Sequence, residues 1–118
     1  MLTLPPHASV LLHLQPVDIR KSFDGLVGLV RSVLDAEPVS PTFFVFFNKD
    51  RNKIKILYWD TDGFAIWYKR LEKGTFHLTL SHSGKTGIRL SRAQLAMLLE
   101  GIDFQNVKRR KRFFKKSA

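Results

Sequence analysis

Apolar positions recur at two different spacings along the chain, and the change from one to the other divides it into segments. After a proline-broken lead-in, Val10-Leu11-Leu12-His13-Leu14 predicts a short edge strand. It stops at Gln15-Pro16, because proline has no amide hydrogen to give a ladder. Asp18 is placed to cap a helix over 19–35, where Phe23, Leu26, Val27, Val30, Val33 and Leu34 fall three and four apart and form one stripe. Gly25 and Gly28 weaken that helix by roughly 1 kcal/mol each relative to Ala, which suggests close packing against a neighbour. Pro38 and Pro41 end the segment. From 43 to 80 the period drops to two, with turn residues at regular intervals, which predicts a β-meander of about four antiparallel strands.

Glycine positions suggest a register for that meander, since a three-residue hairpin loop commonly ends on a left-handed glycine. Loops at 61–63 and 72–74 set Ile56 opposite Tyr68, Tyr58 opposite Ile66, Tyr68 opposite Leu78 and Arg70 opposite Phe76. A five-residue loop over 48–52 sets Phe46 opposite Ile54 and Phe44 opposite Ile56. One face then carries Phe44, Phe46, Ile54, Ile56, Tyr58, Phe64, Ile66, Tyr68, Phe76, Leu78 and Leu80, and helix 19–35 is the available cover. The other face carries Lys53, Lys55, Leu57, Trp59, Trp67, Lys69, Thr75, His77 and Thr79, alongside Phe43, Val45 and Phe47.

After the bend at Ser83-Gly84-Lys85-Thr86-Gly87, the second helix is strongly punctuated. Ser91 and Gln94 make a capping box, Leu90 and Leu95 a hydrophobic staple, and Gly101 a stop. Leu95, Leu98, Leu99 and Ile102 give it a core stripe. The pattern predicts a single α+β domain over 1–104, its sheet covered on one side by the helices 19–35 and 91–100, followed by a disordered basic tail over 105–118.

Charge sharpens the picture. The chain of 118 residues holds 20 basic and 10 acidic groups, a formal charge of +10, so a polyanion is the default partner. Residues 1–107 hold 13 basic and all 10 acidic groups, whereas 108–118 hold seven basic and none acidic. With 44% hydrophobic residues and ten Phe, there is enough apolar side chain for a real core. The absence of cysteine excludes disulfides, thiolate catalysis, zinc ribbons and iron–sulfur clusters. The start Met1-Leu2-Thr3-Leu4-Pro5-Pro6 lacks the features of a secretory signal, and no apolar run is long enough to span a bilayer; the expectation is a cytoplasmic protein without a membrane partner.

The sharpest chemical signal is the tail, where Lys108, Arg109, Arg110, Lys111, Arg112, Lys115 and Lys116 can displace counterions from phosphate backbones. A merely solubilising tail is the bland alternative, and Phe113 and Phe114 keep anionic lipid open. Trp59 and Trp67 among lysines could stack unpaired bases, but a place under the N-terminal strand or at a protein interface is favoured because Phe43, Val45 and Phe47 make that face apolar. Ser83-Gly84-Lys85-Thr86 lacks the earlier glycine of a phosphate-binding loop, since position 79 is Thr. Asp60, Asp62 and Glu72 could be read as a small nuclease site, but the hairpin loop explains the first two. His7, His13, His77 and His82 have no metal-ligand spacing. No metal, cofactor or catalytic residue is expected, and the chain reads as a non-enzyme.

Three stretches carry a resemblance. They are Val17-Asp18-Ile19-Arg20-Lys21-Ser22-Phe23-Asp24-Gly25-Leu26, then Ile56 to Phe76 with Tyr58-Trp59-Asp60 and Tyr68-Lys69-Arg70-Leu71-Glu72-Lys73-Gly74, and finally Leu90-Ser91-Arg92-Ala93-Gln94-Leu95 to Phe104. In order and spacing they resemble the small TnpB-type accessory protein of the insertion-sequence sixty-six family, a bacterial mobile element. The resemblance implies a non-enzymatic helper of a separate transposase in DNA transposition. Arg20, Lys21, Lys69 and Arg70 fall on family-matching positions; the tail is longer than relatives lead one to expect, so its role is read from its own residues. The expectation is an accessory protein that contacts DNA non-specifically through the tail, with Arg20, Lys21, Lys53, Lys55, Lys69 and Arg70 as weaker contacts. The alternative is a protein-interaction module that docks the transposase of the same element through Trp59 and Trp67 without binding DNA itself.

Overall fold

A computed structural model describes residues 2–78 and 84–101. Its elements are β1 (Ser9–His13), α1 (Phe23–Ser32), β2 (Thr42–Phe47), β3 (Lys53–Asp60), β4 (Gly63–Arg70), β5 (Gly87–Leu90) and α2 (Arg92–Leu99). The class is α+β: two helices and a five-stranded mixed sheet of order β4-β3-β2-β1-β5. β1 runs parallel to β2, and the other pairings are antiparallel.

β1 is not the edge strand predicted. It lies between β2 and β5, with Val10 and Leu12 buried on one face and Leu11 packed on the other, because its unbroken apolar run suits burial from both sides. The edge on that side is β5, a strand not predicted from the sequence, and the other edge is β4. Gly87 opens that strand where space is short: a Cβ there would sit 2.8 Å from Cδ2 of Leu34 and 3.1 Å from the Leu12 carbonyl oxygen. Gly25 abuts the Lys21 side chain, but Gly28 faces open space, so close packing explains only one glycine of α1.

Both predicted hairpin registers are one residue off. In the β2–β3 turn Asn48 Oδ1 accepts from the amides of Asn52 and Lys53, at 3.1 and 3.0 Å, and the Asn48 amide donates to the Lys53 carbonyl. That clamp shortens the loop by a residue, so Phe44 pairs with Leu57 and Phe47 with Ile54. In the β3–β4 turn the loop is the two residues Thr61-Asp62, with Asp60 opposite Gly63. Thr61 takes the left-handed conformation at φ 56, and Gly63 begins the strand instead of ending the loop. Consequently Ile56 pairs with Trp67 and Tyr58 with Ala65. The two slips cancel for β4 and leave β3 turned over relative to the expected faces.

The predicted fourth strand of the meander is absent among the described residues. The pairings Tyr68–Leu78 and Arg70–Phe76 do not form; the chain instead crosses the β2–β3 turn. Leu71 donates to the Asn52 carbonyl and Phe76 to the Arg51 carbonyl, each at 2.7 Å, while the Arg51 guanidinium donates to the Leu78 carbonyl. Phe76 and Leu78 are thereby buried against the sheet. Thr79, Leu80 and Ile102 lie outside the described residues.

The helices do not share one side of the sheet as predicted but cover opposite faces, because β2 is apolar on both. Leu26 and Val30 of α1 pack with Phe44, Phe46 and Leu57. On the other face, Leu95 and Leu98 of α2 join Val10, Leu12, Val45, Phe47, Ile54, Ile56, Phe76 and Leu78. α1 begins at Phe23, later than predicted, because Asp18 is spent on a turn: its carboxylate accepts from the Arg20 amide at 3.0 Å. The helix ends at Ser32, and the chain turns away at Asp35, which is left-handed at φ 50. α2 carries the expected capping box, with Ser91 Oγ accepting from the Gln94 amide at 3.0 Å and Gln94 Oε1 from the Ser91 amide at 2.8 Å, and Gly101 turns left-handed after it.

The turn geometry gives opposite expectations for two neighbours. Thr61→Gly relieves a β-branched residue in the left-handed region and is expected to raise stability by about 1 kcal/mol. Gly63→Ala meets open space at an ordinary φ and is expected to change it by less than about 0.5 kcal/mol. Urea unfolding of both variants checks the register, since a three-residue loop ending on Gly63 reverses the order.

Candidate nucleic-acid interface

Strand direction sorts the charged turns to the two ends of the sheet. The loop before α1, the β2–β3 turn and the exit of β4 share one end: Val17 donates to the Phe47 carbonyl, Leu71 to that of Asn52, and Lys53 lies opposite Arg70. Arg20, Lys21, Lys49, Arg51, Lys53, Lys55, Lys69, Arg70 and Lys73 therefore gather there, against Asp18, Asp50 and Glu72. The opposite end carries the Asp60-Thr61-Asp62 turn. Lys49, Arg51 and Lys73 are not predicted from the sequence because they lie in turns; the usable signal is their closeness to strand ends that must align in a meander.

Several of these cations are already engaged. Arg20 meets Asp18 at 2.7 Å, and its guanidinium hydrogen bonds hold the Asp18 carboxyl well below the usual carboxylate range. Arg70 meets Glu72 at 2.7 Å, which raises the guanidinium pKa further. Both pairs are exposed, so they count as local neutralisation and not as stability. Lys55 is buried, at 8% exposure, with Nζ donating to the Lys21 carbonyl at 2.8 Å and lying 4.8 Å from the centre of the Tyr68 ring. Burial pushes its pKa down, partly opposed by the charge of Asp18. This lysine ties the loop before α1 to the sheet. Lys69 projects from the opposite face to Lys53, Lys55 and Arg70, since β4 alternates. Lys21 and Lys53 make no ion pair among the described residues. The tail residues Lys108, Arg109, Arg110, Lys111, Arg112, Lys115 and Lys116 lie outside the described residues.

The expected shared face for the two indoles is corrected by the register. Trp59 lies opposite Phe64, and its ring meets that Phe edge-on at 5.1 Å between centroids. Trp67 lies opposite Ile56 on the other face, lining a cleft of about 280 Å³ with Leu2, Leu4, Leu95 and Leu99. A single stacking platform would require both on one face. The nuclease reading fails on distance, because Asp60 and Asp62 precede β4 and Glu72 follows it, roughly 25 Å away along an eight-residue strand. Among the described residues no group of His, Asp or Glu side chains is placed to hold a metal ion. Lys85 and Thr86 belong to the approach to β5, where the Thr86 carbonyl accepts from Leu14 at 2.9 Å; Ser83 and His82 lie outside the described residues.

Among the described residues, His13 is the other buried polar side chain. It is 3% exposed, its Nδ1–H donates to the Gln15 carbonyl at 2.7 Å, and its Nε2 is buried with no partner among the described residues. Its ring lies 5.3 Å from that of Phe46. Burial favours the neutral ring and lowers the pKa below 6.5, against the smaller opposing effect of the Gln15 bond.

The described residues form a five-stranded sheet closed by a helix on each face, with cations concentrated at one end. The chain belongs to the IS66 Orf2-like family, whose model matches residues 8–109. Membership gives it a transposition-associated accessory role. It is 35% identical over 101 residues to the uncharacterized protein y4jC of Sinorhizobium fredii, covering 86% of this chain and 85% of that protein. It is 34% identical over 89 residues to the uncharacterized protein y4hO of the same organism, covering 75% and 76%. No solved structure matches. Among the described residues no helix is long and apolar enough to cross a membrane.

Two outcomes follow from the buried polar groups. Lys55→Ala removes a packed stem and a hydrogen bond and is expected to cost about 2 kcal/mol, whereas Lys21→Ala and Lys69→Ala, both exposed, cost less than about 0.5 kcal/mol in the same denaturant titration. Because the folded pKa of His13 is depressed, the unfolded chain takes up a proton that the fold resists. Stability therefore falls as pH drops below about 6.5 and levels off once the folded pKa is passed. Unfolding midpoints between neutral and mildly acidic pH are expected to show that decline, and His13→Phe to flatten it.

Proposed function

We propose that this protein is a non-enzymatic accessory factor of transposition that holds DNA mainly through the basic run Lys108 to Lys116, without reading base sequence. The observation that carries this reading is where uncompensated charge remains. Of the six body cations nominated from sequence, Arg20 and Arg70 are matched by carboxylates, Lys55 is buried, and Lys69 faces away from the others. The seven cations of residues 108–118 have no acidic residue among them. A cluster of guanidinium and ammonium groups gains its affinity from counterion release, which is indifferent to base identity. Lys21, Lys49, Lys53 and Lys73 at the basic end of the sheet would extend the contact to neighbouring phosphates.

The alternative reading, docking of the transposase, now rests on two separate surfaces. The Trp67 cleft, bordered by apolar side chains of α2 and the N-terminal segment, is the better of the two.

Duplex and single-strand binding measured across salt, for the full chain and for a chain ending at Asn106, tests the proposal. If five tail cations meet phosphates, log K against log salt is expected to slope at about −3.5 to −4.5, and truncation to collapse both slope and affinity. Unchanged affinity after truncation refutes the tail as the contact; co-purification of transposase with a chain that binds no DNA favours the docking module.

A further inference from the structure

β4 ends the sheet, and its outward backbone groups can be assigned. The bond from the Leu71 amide to the Asn52 carbonyl marks Asn52 and Leu71 as a hydrogen-bonding position of the β3–β4 ladder. Alternation then makes Ile54–Lys69, Ile56–Trp67, Tyr58–Ala65 and Asp60–Gly63 the bonded pairs. The amides and carbonyls of Phe64, Ile66, Tyr68 and Arg70 therefore point away from β3, and among the described residues no strand meets them. This edge is eight residues long and pairs with β3 without a bulge. It contains no proline, and its only charges are Lys69 and Arg70 at one end. Such an edge lacks most of the features that keep sheets from pairing with another chain.

Its charge pattern identifies the partner. One end abuts the acidic turn with Asp60 and Asp62, and the other end is basic, so an antiparallel copy of the same strand brings opposite charges together. Outward groups must meet outward groups, which restricts the registers available. The one centred on Ile66 sets Ile66 opposite Ile66, Phe64 opposite Tyr68, small Ala65 opposite large Trp67, and Asp62 opposite Arg70. Lys69 then faces Gly63, and over Asp62 to Arg70 no like charges oppose each other. We infer that β4 pairs with β4 of a second copy of this chain, antiparallel about Ile66, to make one continuous sheet across a dimer. Tyr68, half exposed in the single chain, gains an aromatic neighbour in the process. The inference is independent of the DNA reading above.

Sedimentation equilibrium of the full chain, freed of nucleic acid, is expected to give twice the 13.6 kDa of one chain. Ile66→Pro removes only an outward amide, as edge strands tolerate, and is expected to raise the dissociation constant roughly thirtyfold through two lost hydrogen bonds per dimer. Arg70→Asp is expected to weaken the dimer, and Asp62→Arg combined with Arg70→Asp to restore it. A monomer at micromolar concentrations, a dimer indifferent to Ile66→Pro, or a charge reversal that the swap does not rescue overturns the inference.

Discussion

The whole arrangement depends on burying β2 from both sides. Phe43, Phe44, Val45, Phe46 and Phe47 are consecutive, so they point alternately to the two faces, and all five are shielded from water. Each large aromatic or aliphatic side chain buried this way contributes on the order of 2 kcal/mol, and that gain is available only if both faces are roofed. β2 is consequently the middle strand, flanked by β1 and β3, with α1 over Phe44 and Phe46 and α2 over Val45 and Phe47. A one-sided layer of helices would leave half of this strand wet.

Covering two faces with so short a chain draws in segments that are not regular structure. Leu2 and Leu4 pack on the α2 face, and Phe76 and Leu78 are carried there by a stretch with no ladder of its own. The Arg51 side chain fixes that stretch by donating to the Leu78 carbonyl. Lys55 is taken up similarly by the Lys21 carbonyl. Two cations of the basic end, Arg51 and Lys55, thus also hold loops onto the sheet.

The ends of the sheet acquire opposite chemical characters for a topological reason. In a meander, alternate turns lie at opposite ends, so Asn48 to Asn52 and Thr61-Asp62 are separated by the length of β3. Lysines flank the first turn and aspartates the second. The same separation that dismantles a Asp60, Asp62 and Glu72 metal site makes β4 self-complementary along its free edge.

Local signals were legible in the sequence wherever a few adjacent residues settle the matter. The capping box of Ser91 and Gln94, the stop at Gly101, the stripe of α1 and the three stretches that resemble the family are all of that kind. Hairpin register was not. β3 is apolar at Ile54 and Ile56 and also at Leu57, so either face can be turned inward without exposing a charge-only side, and the choice falls to the turns. There the Asn48 clamp and the left-handed Thr61 prevailed over the glycine rule. Element type and charge distribution were therefore set by the amino-acid order itself. The faces on which Trp59, Trp67 and the lysines sit were decided only by the folded chain, because a strand apolar on both sides does not specify its own register until its neighbours are in place.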